Sequence, residues 1–376
     1  MVEARKVDLH ERDAPVTVAD GPCCDRCPGA SVADTTRFAR RRLLKAAVLH
    51  PVPKADQPVP WPASRRRAPG TLTGTTPAAG SGPAGPYRAV TGQVTDVSPH
   101  VITIGHPAGE RRFTLTANAT AWRGGPLDPS ALHPGDEAVI RLLPSRPDVA
   151  DRIWANIGRV TGTIVDCDAD RILVTEGTTR KQRTVVIPPQ AKGKIAVRFP
   201  SLRPGYLIDL IGVRRDDYLE GLVPATSQPP YRADLIAAQR PAAGRAFDAI
   251  SGSAVWHDPG DEPYGVLGLG YPAIDPAAGC ADDAAAGLQP GQAPAYRELP
   301  YLAIGTVLLV RNESTGISCP LPVTGCAPVA RLFADHCVSG RLSPRGRIAD
   351  LTLASFIALG GQLEAGCFYA TLSIGR

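Results

Sequence analysis

At 376 residues, with 43% hydrophobic and only 20% charged side chains, the chain has enough apolar material to build cores, which excludes a wholly disordered polypeptide. The 38 Gly and 38 Pro suit a turn-rich β protein better than a helical one, and no stretch approaches the roughly 18 uninterrupted apolar residues of a membrane-spanning helix. The formal charge of +5 is uneven: residues 241–376 contain no Lys and more carboxylates than cations, so no nucleic-acid groove is expected there.

Residues 1–85 read as a basic, Pro- and Gly-rich leader or tether, and the sequence predicts disorder for them. Gly70 to Gly85 hold almost no large apolar side chains, the composition of a flexible linker. Within this region Arg40-Arg41-Arg42-Leu43-Leu44-Lys45 resembles the twin-arginine export signal, R-R-x-(F/L)-L-K. An export signal continues into an apolar run of about 7–15 residues. Here only Ala46-Ala47-Val48-Leu49 precede His50-Pro51. An extracytoplasmic or envelope location is the expectation from this segment, with a cytoplasmic one as the alternative. Cys23-Cys24-Asp25-Arg26-Cys27 contains one Cys-x-x-Cys pair, but a structural zinc needs four ligands and no second pair follows. Neither a metal nor any other cofactor is assigned.

The middle of the chain repeats itself. Val90-Thr91-Gly92-Gln93-Val94-Thr95-Asp96 returns as Val160-Thr161-Gly162-Thr163-Ile164-Val165-Asp166, an offset of 70. Leu132-His133-Pro134-Gly135-Asp136 returns at the same offset as Leu202-Arg203-Pro204-Gly205-Tyr206. Each copy alternates short β-branched runs with turns, then a Pro-Gly turn and another strand. This pattern predicts two small OB-like β-barrels over 86–158 and 159–240. No interleaved aromatic and basic platform for single-stranded nucleic acid is present, and Trp122 and Trp154 read as packing residues.

In residues 241–376, Leu299-Pro300-Tyr301-Leu302-Ala303-Ile304-Gly305-Thr306 runs into the apolar segment Val307–Val310. A turn at 312–316 and a strand-like run at 317–323 follow, and Arg347-Ile348-Ala349-Asp350-Leu351-Thr352 then opens a short helix expected at 353–359. This order resembles the double-psi β-barrel of the rare-lipoprotein-A and expansin families, which read L-P-(F)-G-T-x-V-x-V-x-N and later R-I-x-D-L-S. The predicted fold class is therefore mainly β: two OB-like barrels followed by a six-stranded double-psi barrel. The resemblance covers about a third of the chain and implies a cell-wall glycan as partner. Tyr296 stands where rare-lipoprotein-A members carry a histidine, and Thr324-Gly325-Cys326-Ala327-Pro328 replaces their Asp-Arg-Gly-Pro turn. Of that polar set only Asp350 remains, which weighs against catalysis.

Asp350 is the candidate catalytic residue, because a lytic transglycosylase needs only one group acting as acid and then base when the substrate's own hydroxyl attacks. Apolar neighbours such as Ile348 and Leu351 are expected to raise its pKa. Its alternative role is helix capping, which Thr352 can perform instead. Candidate substrate-binding residues are Trp256, Tyr264 and Tyr296, whose rings can stack on pyranoses, and Thr306 in the matched Gly-Thr. His257, Asp258, Asp261 and Glu262 have the composition of an exposed turn. Five cysteines, 280, 319, 326, 337 and 367, lean toward an oxidising compartment, with pairing undetermined by sequence. Three functions are open at this point: a wall-polysaccharide-binding protein that does not cleave, a peptidoglycan lytic transglycosylase running on Asp350, and an assembly protein using its barrels as interaction modules.

Overall fold

A computed structural model describes residues 85–106, 108–176, 181–225, 249–259, 265–274, 299, 302–327 and 346–374. The leader, with its cysteine cluster and arginine motif, lies outside the described residues, as do Tyr264 and Tyr296. The described chain is mainly β and forms three closed barrels with few helices. Among the described residues no helix is long and apolar enough to cross a membrane.

The first barrel contains β1 (Arg88–Val97), β2 (Val101–His106), β3 (Gly109–Trp122), β4 (Pro126–Leu127), β5 (Glu137–Leu143) and β6 (Arg146–Ala155). The ring runs β2-β1-β5-β6-β3 and closes through β2–β3, while β4 adds to the end of β3. The second barrel contains β7 (Ile157–Asp168), β8 (Arg171–Glu176), β9 (Gln182–Val186), helix α1 (Pro189–Arg198), β10 (Leu207–Arg214) and β11 (Leu219–Pro224). Its ring β10-β11-β9-β8-β7 repeats the first pairing for pairing, including one parallel contact, β3–β6 in the first barrel and β9–β11 in the second.

The repeat extends to irregularities. β1 bulges against β2 between Val94 and Asp96, and β7 bulges against β8 between Ile164 and Asp166. Gly135 and Gly205 both take a positive φ, +97° and +86°, the conformation a Pro-Gly turn requires at its second position. Each glycine amide donates to the strand carbonyl 41 residues earlier, Gly135 to Val94 and Gly205 to Ile164, at 2.8 Å in both cases. The connection before β5 and β10 differs between the copies. In the first copy it is β4 and a 3-10 turn (Pro129–Ala131); in the second it is α1, which starts on Pro189 and buries Ala191 and Ile195.

The third barrel contains β12 (Ala249–Trp256), β13 (Leu269–Tyr271), β14 (Val307–Asn312), β15 (Ser318–Cys326), β16 (Arg347–Leu351) and β17 (Cys367–Ile374), with helix α2 (Leu353–Ala358) after β16. Its ring is β12-β16-β13-β15-β14-β17, with two parallel pairs, β12/β16 and β13/β15. Alternation along β14 buries Leu308, Val310 and Asn312 and exposes Val307, Leu309 and Arg311, as a one-sided strand demands. Helix α2 begins where the sequence places it. Thr352 caps it by accepting from the Ser355 amide at 3.3 Å, and Gly360 follows its end with φ +78°.

The barrels are packed against one another. One apolar cluster joins Trp122, Val139 and Trp154 of the first barrel, Ile211 and Val213 of the second, and Trp256, Phe356 and Leu363 of the third. Both early tryptophans are packing residues, as expected, at 5% and 0% exposure. The Tyr87 amide donates to the Ala358 carbonyl at 3.0 Å, and Trp154 Nε1 and Arg152 both donate to Glu364. A single residue, Asn156, separates β6 from β7.

Candidate functional site

Asp350 lies on β16, opposite Val255 of β12 and Gly270 of β13. The site around it forms where β12 and β16 of the third barrel meet β7 and β10 of the second. Its centre is Asp209 on β10, which is completely buried. Arg159 on β7 grips the Asp209 carboxylate with two parallel bonds, Nε to Oδ1 at 2.9 Å and Nη2 to Oδ2 at 2.7 Å. Arg347 of β16 donates to Oδ2 from the third barrel, and Thr161 Oγ1 adds a bond to Oδ1 at 2.9 Å. The remaining Arg159 nitrogen, Nη1, donates to the carbonyls of Trp256 (2.7 Å) and Gly366 (2.8 Å). A carboxylate so enclosed survives only because every lone pair is answered. Burial alone pushes the Asp209 carboxyl up, but Arg159 and Arg347 outweigh it, so its pKa lies below the ordinary value.

Asp350 has the opposite balance. Its side chain is 12% exposed, Arg347 Nη1 is 3.9 Å from Oδ1, and that oxygen is buried without a hydrogen-bond partner. Burial raises its pKa; the charges of Arg347, His257 and Arg159 offset part of the rise, and the Asp209 charge adds to it. The result is a carboxyl group that keeps its proton to a higher pH than an ordinary aspartate does, in a low-dielectric setting. His257 reaches this neighbourhood because the parallel β12/β16 register ends at Trp256 opposite Leu351, and the His257 amide then donates to the Leu351 carbonyl at 3.1 Å.

Trp256, expected to offer a face to sugar, is instead 1% exposed. Its Nε1 donates to the Leu363 carbonyl at 2.9 Å, and the Arg159 guanidinium sits 5.6 Å from its ring centroid, so the ring is consumed by packing and a cation–π contact. Thr306 lies elsewhere, in the turn that enters β14; its carbonyl accepts from the Val323 amide at 2.8 Å. In the ring, β15 and β13 stand between β14 and β16 on one side, and β17 and β12 on the other. Thus Asp350 and Trp256 share one neighbourhood, while Thr306 belongs to another face.

Asp258 also departs from the exposed-turn reading. Its side chain is 3% exposed and serves three partners in the second barrel: the Arg159 amide at 3.0 Å, Arg183 at 3.4 Å, and Arg214, whose Nε and Nη2 reach both carboxylate oxygens. Of the residues that join the barrels, Arg347 opened the matched Arg-Ile-x-Asp-Leu segment without being assigned a role, while Arg159 and Asp209 have no place in a local motif. Their signal was the presence of charge inside apolar runs, as in Leu207-Ile208-Asp209-Leu210-Ile211, since an unpaired charge there would be prohibitively costly.

Of the barrel cysteines, Cys326 is disulfide-bonded, while Cys319 and Cys367 are free thiols. Cys280 and Cys337 fall outside the described residues. No protein-family model matches the chain, and no curated protein is significantly similar to it.

Proposed function

We propose that this protein is directed to the cell wall and binds its polysaccharide through a third barrel of the rare-lipoprotein-A and expansin type, without cleaving it. Two things support the double-psi assignment: the mixed six-stranded ring with two parallel pairs, and the position of the Asp-Leu-Thr segment at the end of β16 before a Thr-capped helix. The Cys326 disulfide supports an extracytoplasmic setting, since such bonds persist in oxidising compartments.

The observation that carries the non-cleaving reading is the company Asp350 keeps. Two-carboxylate glycosidases need a second acid or base across the scissile bond. The nearby carboxylates, Asp209 and Asp258, are each held by two arginines, so neither is available for that work. A transglycosylase is the second reading, favoured by the raised pKa of Asp350, because that chemistry needs one acid only. Incubation with purified wall polysaccharide separates the two. Binding without cleavage gives co-sedimentation and no new sugar ends. Anhydro-sugar products that vanish in Asp350→Asn establish the transglycosylase, and absence of co-sedimentation removes both.

A further inference from the structure

The geometry points to a carbohydrate-binding cleft between the first and second barrels, taking one or two neutral sugar rings. This inference rests on the polysaccharide-binding reading and adds a second contact to it.

The cleft has a volume of about 400 Å3, within the roughly 300–1,000 Å3 of small-molecule sites. It lies over the β1/β5 ribbon, where Thr91 faces Val139 and Gln93 faces Glu137 across the strands. Ile157 and Arg214 of the second barrel form the opposite wall. Asp258 holds the Arg214 guanidinium from behind through Nε and Nη2, and Nη1 reaches Glu137 at 3.3 Å. The carboxylate is 68% exposed on its side chain, so a ligand hydroxyl can reach it.

The chemistry selects among ligands. One carboxylate and one guanidinium face the same space, so a strongly anionic or cationic ligand meets a charge of its own sign. A polyhydroxylated ring does not. Its hydroxyls can donate to Glu137 and accept from Arg214 and Thr91, above a floor formed by the largely buried Val139 and Ile157. Asn156, the junction residue, fixes this geometry. It holds φ +51°, unusual for a residue with a side chain, and is clamped by Nδ2 to Asp136 (2.8 Å) and by Oδ1 accepting from the Glu137 amide (2.8 Å). The two walls are therefore set at a fixed separation before any ligand arrives.

The test uses the full chain and two probes, N,N′-diacetylchitobiose by titration calorimetry and insoluble wall polysaccharide by co-sedimentation. The disaccharide is expected to bind wild type, and Glu137→Gln is expected to weaken it about tenfold, the loss of one charged hydrogen bond. Thr91→Phe, which fills the cleft, should abolish binding, with a thermal melt checking its fold; Glu137 is exposed, so its variant keeps the test valid if Thr91→Phe misfolds. Disaccharide binding that is kept at full strength in both Glu137→Gln and a folded Thr91→Phe overturns the cleft and leaves the wall-binding reading intact. Wall binding with no disaccharide affinity also overturns the cleft alone, and absence of both overturns the two together.

Discussion

Arg347 and Asp209 sit in different barrels, 138 residues apart, and share a buried ion pair that Arg159 completes from the other side. The pair makes the second and third barrels interdependent, since removing either partner strands charge in a fully buried site.

Asp209→Asn is accordingly expected to cost about 3–5 kcal/mol, because two guanidiniums lose their counter-charge while remaining buried. Urea denaturation followed by tryptophan fluorescence reads this directly, since Trp256 packs on Arg159. A change below about 1 kcal/mol would mean that the barrels do not depend on this contact.

The two junction carboxyls should respond oppositely to pH. Asp209 has a depressed pKa, so its contribution is full above the ordinary carboxylate value of about 3.9 and fades as pH falls through its folded value. Asp350 has a raised pKa, so its ionisation costs stability as pH climbs from about 4 through its folded value. Asp350→Asn should therefore be at least as stable as the parent at neutral pH, with any gain shrinking on acidification. Thermal melts between pH 4 and 8 measure both trends. A variant markedly less stable at pH 7 would show that the contact with Arg347 outweighs the burial.

The repeat makes paired predictions. At Gly135 an added Cβ meets open space, so Gly135→Ala should cost only the left-handed backbone penalty, about 1–2 kcal/mol. At Gly92 and Gly162 the added Cβ would fall 2.3 Å and 2.1 Å from a carbonyl oxygen of the adjacent strand. Alanine there forces the ladder apart and should cost more than Gly135→Ala, roughly 2–4 kcal/mol in each copy. Equal effects at all three positions in denaturation experiments would contradict the described register.

Glu364 accepts from both Trp154 Nε1 and Arg152, tying the third barrel to the first. Glu364→Ala leaves a buried indole N–H without an acceptor and should lower stability by about 1–3 kcal/mol. Hydrogen exchange should then increase in β6 ahead of the second barrel.

Much of this fold was legible in the sequence. Strand alternation and the Pro-Gly turns gave away both copies of the repeat, because those features are fixed by local backbone chemistry; the bulges after Val94 and Ile164 emerged only in the structure. Helix α2 was legible for the same reason, through Thr352 and Gly360. The junction was not. Trp256 and Asp258 looked like an exposed strand end and turn, because burial between barrels leaves no periodic mark on either partner. Even the repeat gave no help there. The positions 70 residues before Arg159 and Asp209 are Ala89 and Val139, so the clamp exists in one copy only.

The single-residue joint at Asn156 has a mechanical corollary. Its amide donates to the Glu137 carbonyl in one barrel and its carbonyl accepts from the Arg214 amide in the next, both at 2.7 Å. A hinge needs slack, and this connection has both of its ends tied down. The first two barrels are therefore joined without slack, and Arg214 carries the connection on to Asp258 of the third. A strand of polymer gripping the first barrel would lever the whole body instead of swinging one bead on a string.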